Sequence, residues 1–227
     1  MSMHSFSVFE MDIRRRKTFG KAFSLIDYRF ERDNGQVPQL QQARNYVSCW
    51  EDLRQENMGM LFWGMPGNGK TFAAACIANA LIEMPSMFAT EVRMVTLGTV
   101  LMELPAKSPQ EKMEYVQDLV QCDLLILDDF GMERQTDYAR EQVFNLIDGR
   151  YLSRLPLIVT TNLSLQELKN PKTMSEKRIY DRILQMCVPV CFDGESLRRQ
   201  IAAEKLKRYQ QLISGPEQPD KIPLKKT

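Results

Sequence analysis

The run Gly64-Met65-Pro66-Gly67-Asn68-Gly69-Lys70-Thr71 fits the pattern G-x-x-x-x-G-K-[ST] in full. Its glycines let the backbone curl so that successive N–H groups point inward at an anion. The helix expected to begin there adds its N-terminal partial positive charge. Lys70 extends a cation toward the outer phosphates, and the Thr71 hydroxyl can coordinate Mg²⁺. A glycine-rich turn without a ligand is the plain alternative. An apolar run before the loop (Met58–Trp63) and an Ala-rich helical run after it (Phe72–Glu83) count against that reading. The nucleotide-contact set expected from this stretch is Gly64, Pro66, Gly67, Asn68, Gly69, Lys70, Thr71 and Phe72.

Hydrolysis needs a metal carboxylate and a group that orients water. Leu124-Leu125-Ile126-Leu127-Asp128-Asp129 supplies both at the end of an apolar strand. Ligands of such sheets sit at the carboxyl ends of strands. Asp128 is therefore expected in the Mg²⁺ shell and Asp129 at the attacking water. Leu157-Ile158-Val159-Thr160-Thr161-Asn162 repeats the pattern, with Asn162 able to bond water or the γ-phosphate, although a strand ending in Thr-Thr-Asn is also a common turn entry. Arg178 and Arg182 lie four apart on one helix face, and Arg198 and Arg199 open the last helical run. Guanidinium groups can meet phosphate charge bidentately. From the residues alone, a solvated surface cation is the favoured reading of each arginine.

The elements that must position these groups alternate along the chain. Strand-like runs at Met58–Trp63, Val92–Thr96, Leu124–Leu127, Leu157–Thr160 and Val188–Phe192 are separated by helical patterns near 72–83, 110–120, 136–153 and 175–185, with 39–55 before them and 196–213 after. This alternation predicts a three-layer α/β/α fold around a central parallel sheet, and the C-terminal helices, roughly 175–213, are expected to form a short helical cap over the nucleotide. Residues 1–35 read as a loosely structured, partly flexible lead-in, 36–213 as the main domain, and 214–227 as a flexible tail. At 227 residues, 44% hydrophobic and 26% charged, the chain can bury a core, which excludes disorder for most of it. A formal charge of +1 leaves nucleic-acid binding to a local patch, with Arg14–Lys17, Lys107, Arg134, Arg150, Arg154 and Lys169 as the candidate cations. The five cysteines contain no CxxC pair and the only histidine is His4, so no zinc set is expected; free thiols point to a reducing cytoplasm. No apolar run approaches the ~20 residues of a membrane span, and the N-terminus has no signal-peptide core.

The ordered combination of Gly64–Thr71, Asp128-Asp129-Phe130-Gly131, Thr160-Thr161-Asn162, Arg178-Ile179-Tyr180-Asp181-Arg182 and Phe192–Arg199 resembles the AAA+ ATPases of the DnaC/DnaI helicase-loader and IstB transposition-helper group. The resemblance covers Phe19 to Leu212 and makes 36–213 an AAA+ ATPase domain. It implies that Lys70 and Thr71 bind phosphate and Mg²⁺, that Asp128 holds the metal, that Asp129 is the catalytic acid and that Asn162 is the first sensor. Arg182 is implied as a finger acting in trans, with Arg178 as its rival, and Arg198 as the second sensor in cis. It further implies a cytoplasmic DNA-replication protein, a primosome component that forms an ATP-bound homo-oligomer, binds single-stranded DNA and escorts a replicative helicase. Loaders of this group carry an N-terminal domain, often with zinc-binding cysteines, that grips the helicase. Here only the short stretch before Phe19 precedes the aligned segment, and it holds no cysteine. The expectation is therefore either a fragment or a helicase contact made differently. Asp129 is one methylene shorter than the Glu of many AAA+ proteins, which implies slow turnover without DNA or partners.

Three other functions fit the same loop. An IstB-like transposition helper would prefer duplex DNA beside a transposase. A small-molecule kinase would need an acceptor pocket and gives Asn162 and Arg182 no task. A non-catalytic nucleotide-binding adaptor would tolerate Asp129→Asn. The absence of an Asn-Lys-x-Asp base motif points toward adenine.

Overall fold

The computed structural model describes residues 6–84, 90–131, 136–194 and 196–213. In chain order the first elements are helix α1 (Val8–Phe19), two short 3-10 turns at Phe23–Asp27 and Phe30–Arg32, helices α2 (Leu40–Ser48) and α3 (Trp50–Gln55), strand β1 (Gly59–Trp63) and helix α4 (Lys70–Glu83). Then come β2 (Val92–Thr96), α5 (Leu97–Glu103), α6 (Pro109–Gln121), β3 (Leu124–Phe130) and α7 (Asp137–Ser153). The chain continues through β4 (Leu157–Thr161), α8 (Leu165–Lys169), α9 (Met174–Met186), β5 (Cys187–Cys191) and α10 (Leu197–Ile213).

The strands form one sheet in the order β2-β3-β4-β1-β5, and every neighbouring pair is parallel. Parallel sheets are covered on both faces, so their strands are apolar on both sides. In β3, Leu124 and Ile126 enter the core beneath α1, α2 and α4, whereas Leu125 and Leu127 enter the core beneath α5, α6, α7 and α9. The sheet order sets β3, β4 and β1 side by side at a spacing of about 4.8 Å. Their carboxyl ends carry Asp128, Asn162 and the Gly64–Thr71 loop. At Gly59 an added Cβ would lie 1.8 Å from the Leu157 carbonyl oxygen, so the approach of β1 to β4 requires glycine.

Three expectations are corrected. Residues 8–19 form a helix rather than a loose lead-in. Ser7 and Glu10 make a capping box at its start. Its basic run is consumed in holding it down: Arg14 donates to the Thr90 carbonyl, Arg15 pairs with Glu83 at 2.6 Å and Lys17 pairs with Glu91 at 2.9 Å. The following turns are tied to α4 by Asn79, whose amide donates to the carbonyls of Leu25 and Tyr28, and by Arg29, which also binds Glu83. The helical pattern of 39–55 is broken at Cys49; the Ser48 hydroxyl bonds back to the Arg44 carbonyl, a contact that bends helices, and Trp50 buries against Tyr46. Finally, α9 does not cap the nucleotide cavity. It lies in the second layer, with Ile179 and Ile183 packed in the α7 core. The expected flexible tail, 214–227, lies outside the described residues.

Arg150, a candidate nucleic-acid cation, is 0% exposed. Its guanidinium donates to the carbonyls of Val120, Cys122, Asp123 and Pro156, which flank the starts of β3 and β4. Burial pulls its pKa down to about 10, which leaves it protonated at neutral pH. Arg150→Met keeps the bulk and strands these buried acceptors; it is expected to lower stability by about 3 kcal/mol, read as a lower urea midpoint with an unchanged slope. Burial pushes the Glu83 carboxyl up, but hydrogen bonds from Arg29 and Arg15 outweigh it and hold the group below its usual 4.5. Its contribution is therefore present above pH 4.5 and lost as pH falls through the depressed folded value. Glu83→Gln should be less stable than wild type at pH 7, and the difference should shrink in acid unfolding below pH 4.5.

Candidate functional site

Strand β1 ends at Trp63 and the chain turns through residues 64–69 into α4. Gly64 has φ +135, and a Cβ there would lie 2.3 Å from the Phe192 carbonyl oxygen, so the loop starts against the end of β5. Asn68 is buried and its amide donates to the carbonyls of Phe192 and Gly194, both at 3.1 Å. The Leu197 N–H donates to the Gly67 carbonyl at 3.0 Å. The turn from β5 into α10 thus fixes the loop from outside.

Lys70 is buried, and its ammonium donates to the carbonyls of Gly64 (2.7 Å) and Met65 (2.8 Å). Burial lowers its pKa, partly offset by Asp129 and Asp128. The Thr71 hydroxyl donates to Asp128 Oδ1 at 3.0 Å. Thr160, on β4, donates to the same oxygen at 2.6 Å. Burial and the neighbouring Asp129 push the Asp128 carboxyl above its usual range, against the hydrogen bonds from Thr160 and Thr71 and the charge of Lys70. A buried acid held by two hydroxyls beside an anion loop is a hard-oxygen setting that suits Mg²⁺. Among the described residues there is no group of three or more His, Cys, Asp or Glu that could hold a metal.

A cavity of about 350 Å³ opens beside these groups, within the usual ligand range. Pro66, Gly67, Gly69, Lys70, Thr71 and Phe72 form its floor, and Asp129, Asn162 and Arg198 stand on its walls. The structure therefore brings the loop, Asp129, Asn162 and Arg198 into one space, with Asp128 against Thr71. It does not bring Arg178 or Arg182 there. Arg182 is paired with Asp148 at 2.5 Å and stacks over Phe144 at 4.9 Å. Arg178 is exposed, and its side chain makes no ion pair among the described residues.

Sequence reasoning missed the rest of the lining, which also holds Arg32, Asp33, Asn34 and Gln36. Tyr28, Val37 and Leu197 line the cavity with Phe72, and the Tyr28 and Phe72 rings are 5.3 Å apart. Tyr28 lies in the stretch read as a lead-in, where no periodicity marks it. Of the candidate nucleic-acid cations, Arg150 is buried, Arg14, Arg15, Arg16 and Lys17 are engaged within the chain, and Lys107 lies over the Tyr115 ring at 4.9 Å. Arg154 and Lys169 are exposed, and Arg134 lies outside the described residues. No helix among the described residues is long and apolar enough to cross a membrane.

Comparison with known proteins places the chain in a family and a fold. The replicative helicase loader DnaC of Escherichia coli K12 is 27% identical over 186 residues, which cover 80% of this chain and 71% of that protein. The replicative helicase loader DnaI of Bacillus subtilis 168 is 27% identical over 190 residues, covering 79% of this chain and 58% of that one. A crystal structure of the DnaC helicase loader matches with a TM-score of 0.59 at 23% identity, covering 74% of this chain and 96% of its own. The fold is that of the AAA+ P-loop ATPases. A family match runs from residue 9 to residue 205, and the chain belongs to the IstB-like ATP-binding proteins.

Proposed function

We propose that this protein binds ATP with Mg²⁺, hydrolyses it slowly, and uses the ATP-bound state to load a replicative helicase. The observation that carries the nucleotide reading is the contact of the Thr71 hydroxyl with Asp128 beside Lys70, on the floor of a cavity that also holds Asp129, Asn162 and Arg198. The γ-phosphate draws Lys70 from the Gly64 and Met65 carbonyls. Thr71 and Asp128 hold Mg²⁺, which when bound neutralises phosphate charge. Asp129 accepts a proton from the attacking water, Asn162 orients that water, and Arg198 contacts the γ-phosphate in cis. The base sits against Tyr28, Val37, Phe72 and Leu197, the apolar members of a lining that also holds Arg32, Asp33, Asn34 and Gln36.

Charge that develops on the γ-phosphate is met by an arginine from a neighbouring copy. Arg182 is the resemblance's choice, and it must exchange Asp148 for phosphate to act; Arg178 is the rival. The task as a loader rests on the relatives named replicative helicase loaders. The reading extends to single-stranded DNA, to an ATP-bound homo-oligomer and to a cytoplasmic place in DNA replication. The family's description, IstB-like ATP binding protein, favours a second reading, the transposition-helper ATPase that the resemblance also implies.

Asp129→Asn should leave ATP affinity within about threefold and lower turnover about 100-fold. It should therefore trap the protein in its ATP state and retain the replicative helicase in a pull-down with ATP, but not with ADP. Capture of a transposase on duplex DNA instead would favour the second reading. Turnover per molecule should rise with protein concentration, and Arg182→Ala should abolish that rise while Arg178→Ala retains it. Turnover that is independent of dilution would contradict a finger acting in trans.

A further inference from the structure

Asp128 and Asp129 are adjacent in a strand, and adjacent strand residues face opposite sides of a sheet. Asp128 has the parity of Leu124 and Ile126, on the α4 face. Asp129 has the parity of Leu125 and Leu127, on the α7 and α9 face. A regular strand would send Asp129 away from the phosphate loop. Instead it lines the cavity with Lys70. The cause is local: the pairing of β3 with β4 slips between Leu127 and Phe130, and Asp129 takes a left-handed φ of +55. This is a bulge, the device that re-aims a side chain at a strand end.

Two threonines of β4 hold that bulge. Thr160 is fully buried, so no bulk water replaces its hydroxyl. That hydroxyl accepts the Asp129 N–H at 3.0 Å and donates to Asp128 Oδ1 at 2.6 Å. Thr161 donates to the Phe130 carbonyl on the far side of the slip, at 2.8 Å. One hydroxyl therefore fixes both the carboxylate of Asp128 and the backbone that turns Asp129 into the cavity. Thr71 bonds the same oxygen of Asp128, which leaves Oδ2 clear of both hydroxyls. Asn162 stands two residues further on, just past the end of β4, so one strand and the turn it enters carry the group that reads the phosphate and the group that sets both acids.

The geometry points to Thr160 as the positioning residue of this site: it orients the Asp128 carboxylate for the metal and holds Asp129 in the bulge from which it reaches water. This deepens the reading of Asp128 and Asp129 proposed above and rests on it. Thr160→Val keeps the shape and removes the hydroxyl, whereas Thr160→Ser keeps the hydroxyl. With the full chain and a non-hydrolysable ATP analogue, Mn²⁺ affinity measured by electron paramagnetic resonance should fall about tenfold or more in Thr160→Val. The turnover number should fall by a similar factor. Nucleotide affinity without metal should hold within about twofold, because the loop itself is intact. In the metal-free protein, the Asp129 amide should exchange faster with deuterium.

Thr160→Ser should restore all of these. If the valine variant does not fold, Thr160→Ala is read in the same way. A folded valine or alanine variant with wild-type Mn²⁺ affinity, turnover and amide exchange overturns the assignment, as does a serine variant impaired equally. Asp128→Asn separates the two levels. If it weakens Mn²⁺ binding and the Thr160 variants do not, only the role of Thr160 falls. If it leaves Mn²⁺ binding unchanged, the metal reading falls and this inference falls with it.

Discussion

A hydrogen bond of 3.0 Å joins the Thr71 hydroxyl to the Asp128 carboxylate, and with it the first turn of α4 to the tip of β3. These residues are far apart in the chain and meet because the sheet order sets β3, β4 and β1 side by side. The contact is costly on its own terms. Burial opposes the charge on Asp128, and Asp129 beside it adds repulsion. Two hydroxyls and the Lys70 ammonium offset part of that. A bound cation would offset the rest, so the same environment that penalises the empty carboxylate would favour a metal nucleotide. A site of this kind gives up some stability of the unliganded protein in exchange for affinity.

The cavity walls come from parts of the molecule with little else in common. Tyr28 belongs to the segment before α2, Phe72 to the start of α4, Asn162 follows β4, and Leu197 and Arg198 open α10. From Ala202 onward, the side chains of α10 are exposed. Its seat on the body is set near its first turn, through the Leu197 N–H on the Gly67 carbonyl and the hold of Asn68 on residues 192 and 194. Leu197 and Arg198, in that first turn, also line the cavity.

The sheet and the polar residues at its strand ends were legible in the sequence because both depend on local pattern. Apolar runs of strand length, each ending in polar residues, mark a parallel sheet wherever they occur, and the phosphate loop announces the strand and helix that flank it. Helix α1 was misread because its stability is not local. Val8 and Phe9 are exposed, and the partners of its basic run, Glu83 and Glu91, lie in distant elements. Only the Ser7–Glu10 capping pair signalled it. The re-aiming of Asp129 was invisible for a similar reason. Nothing in the sequence Asp-Asp announces a bulge; the hydroxyl that holds it belongs to another strand. Arg150 shows the converse: a cation that reads as surface is buried because four carbonyls at two strand starts converge on it.

The most direct test of the central claim is to locate the metal. Crystals of the protein grown with a non-hydrolysable ATP analogue and Mn²⁺, measured near the manganese absorption edge, give the ion's position independently of any assumed chemistry. The account predicts one anomalous peak beside the outer phosphates, in coordination range of Thr71 Oγ1 and facing Asp128 directly or through one water. A peak held elsewhere, with Asp128 still bonded only to Thr71 and Thr160, would contradict it.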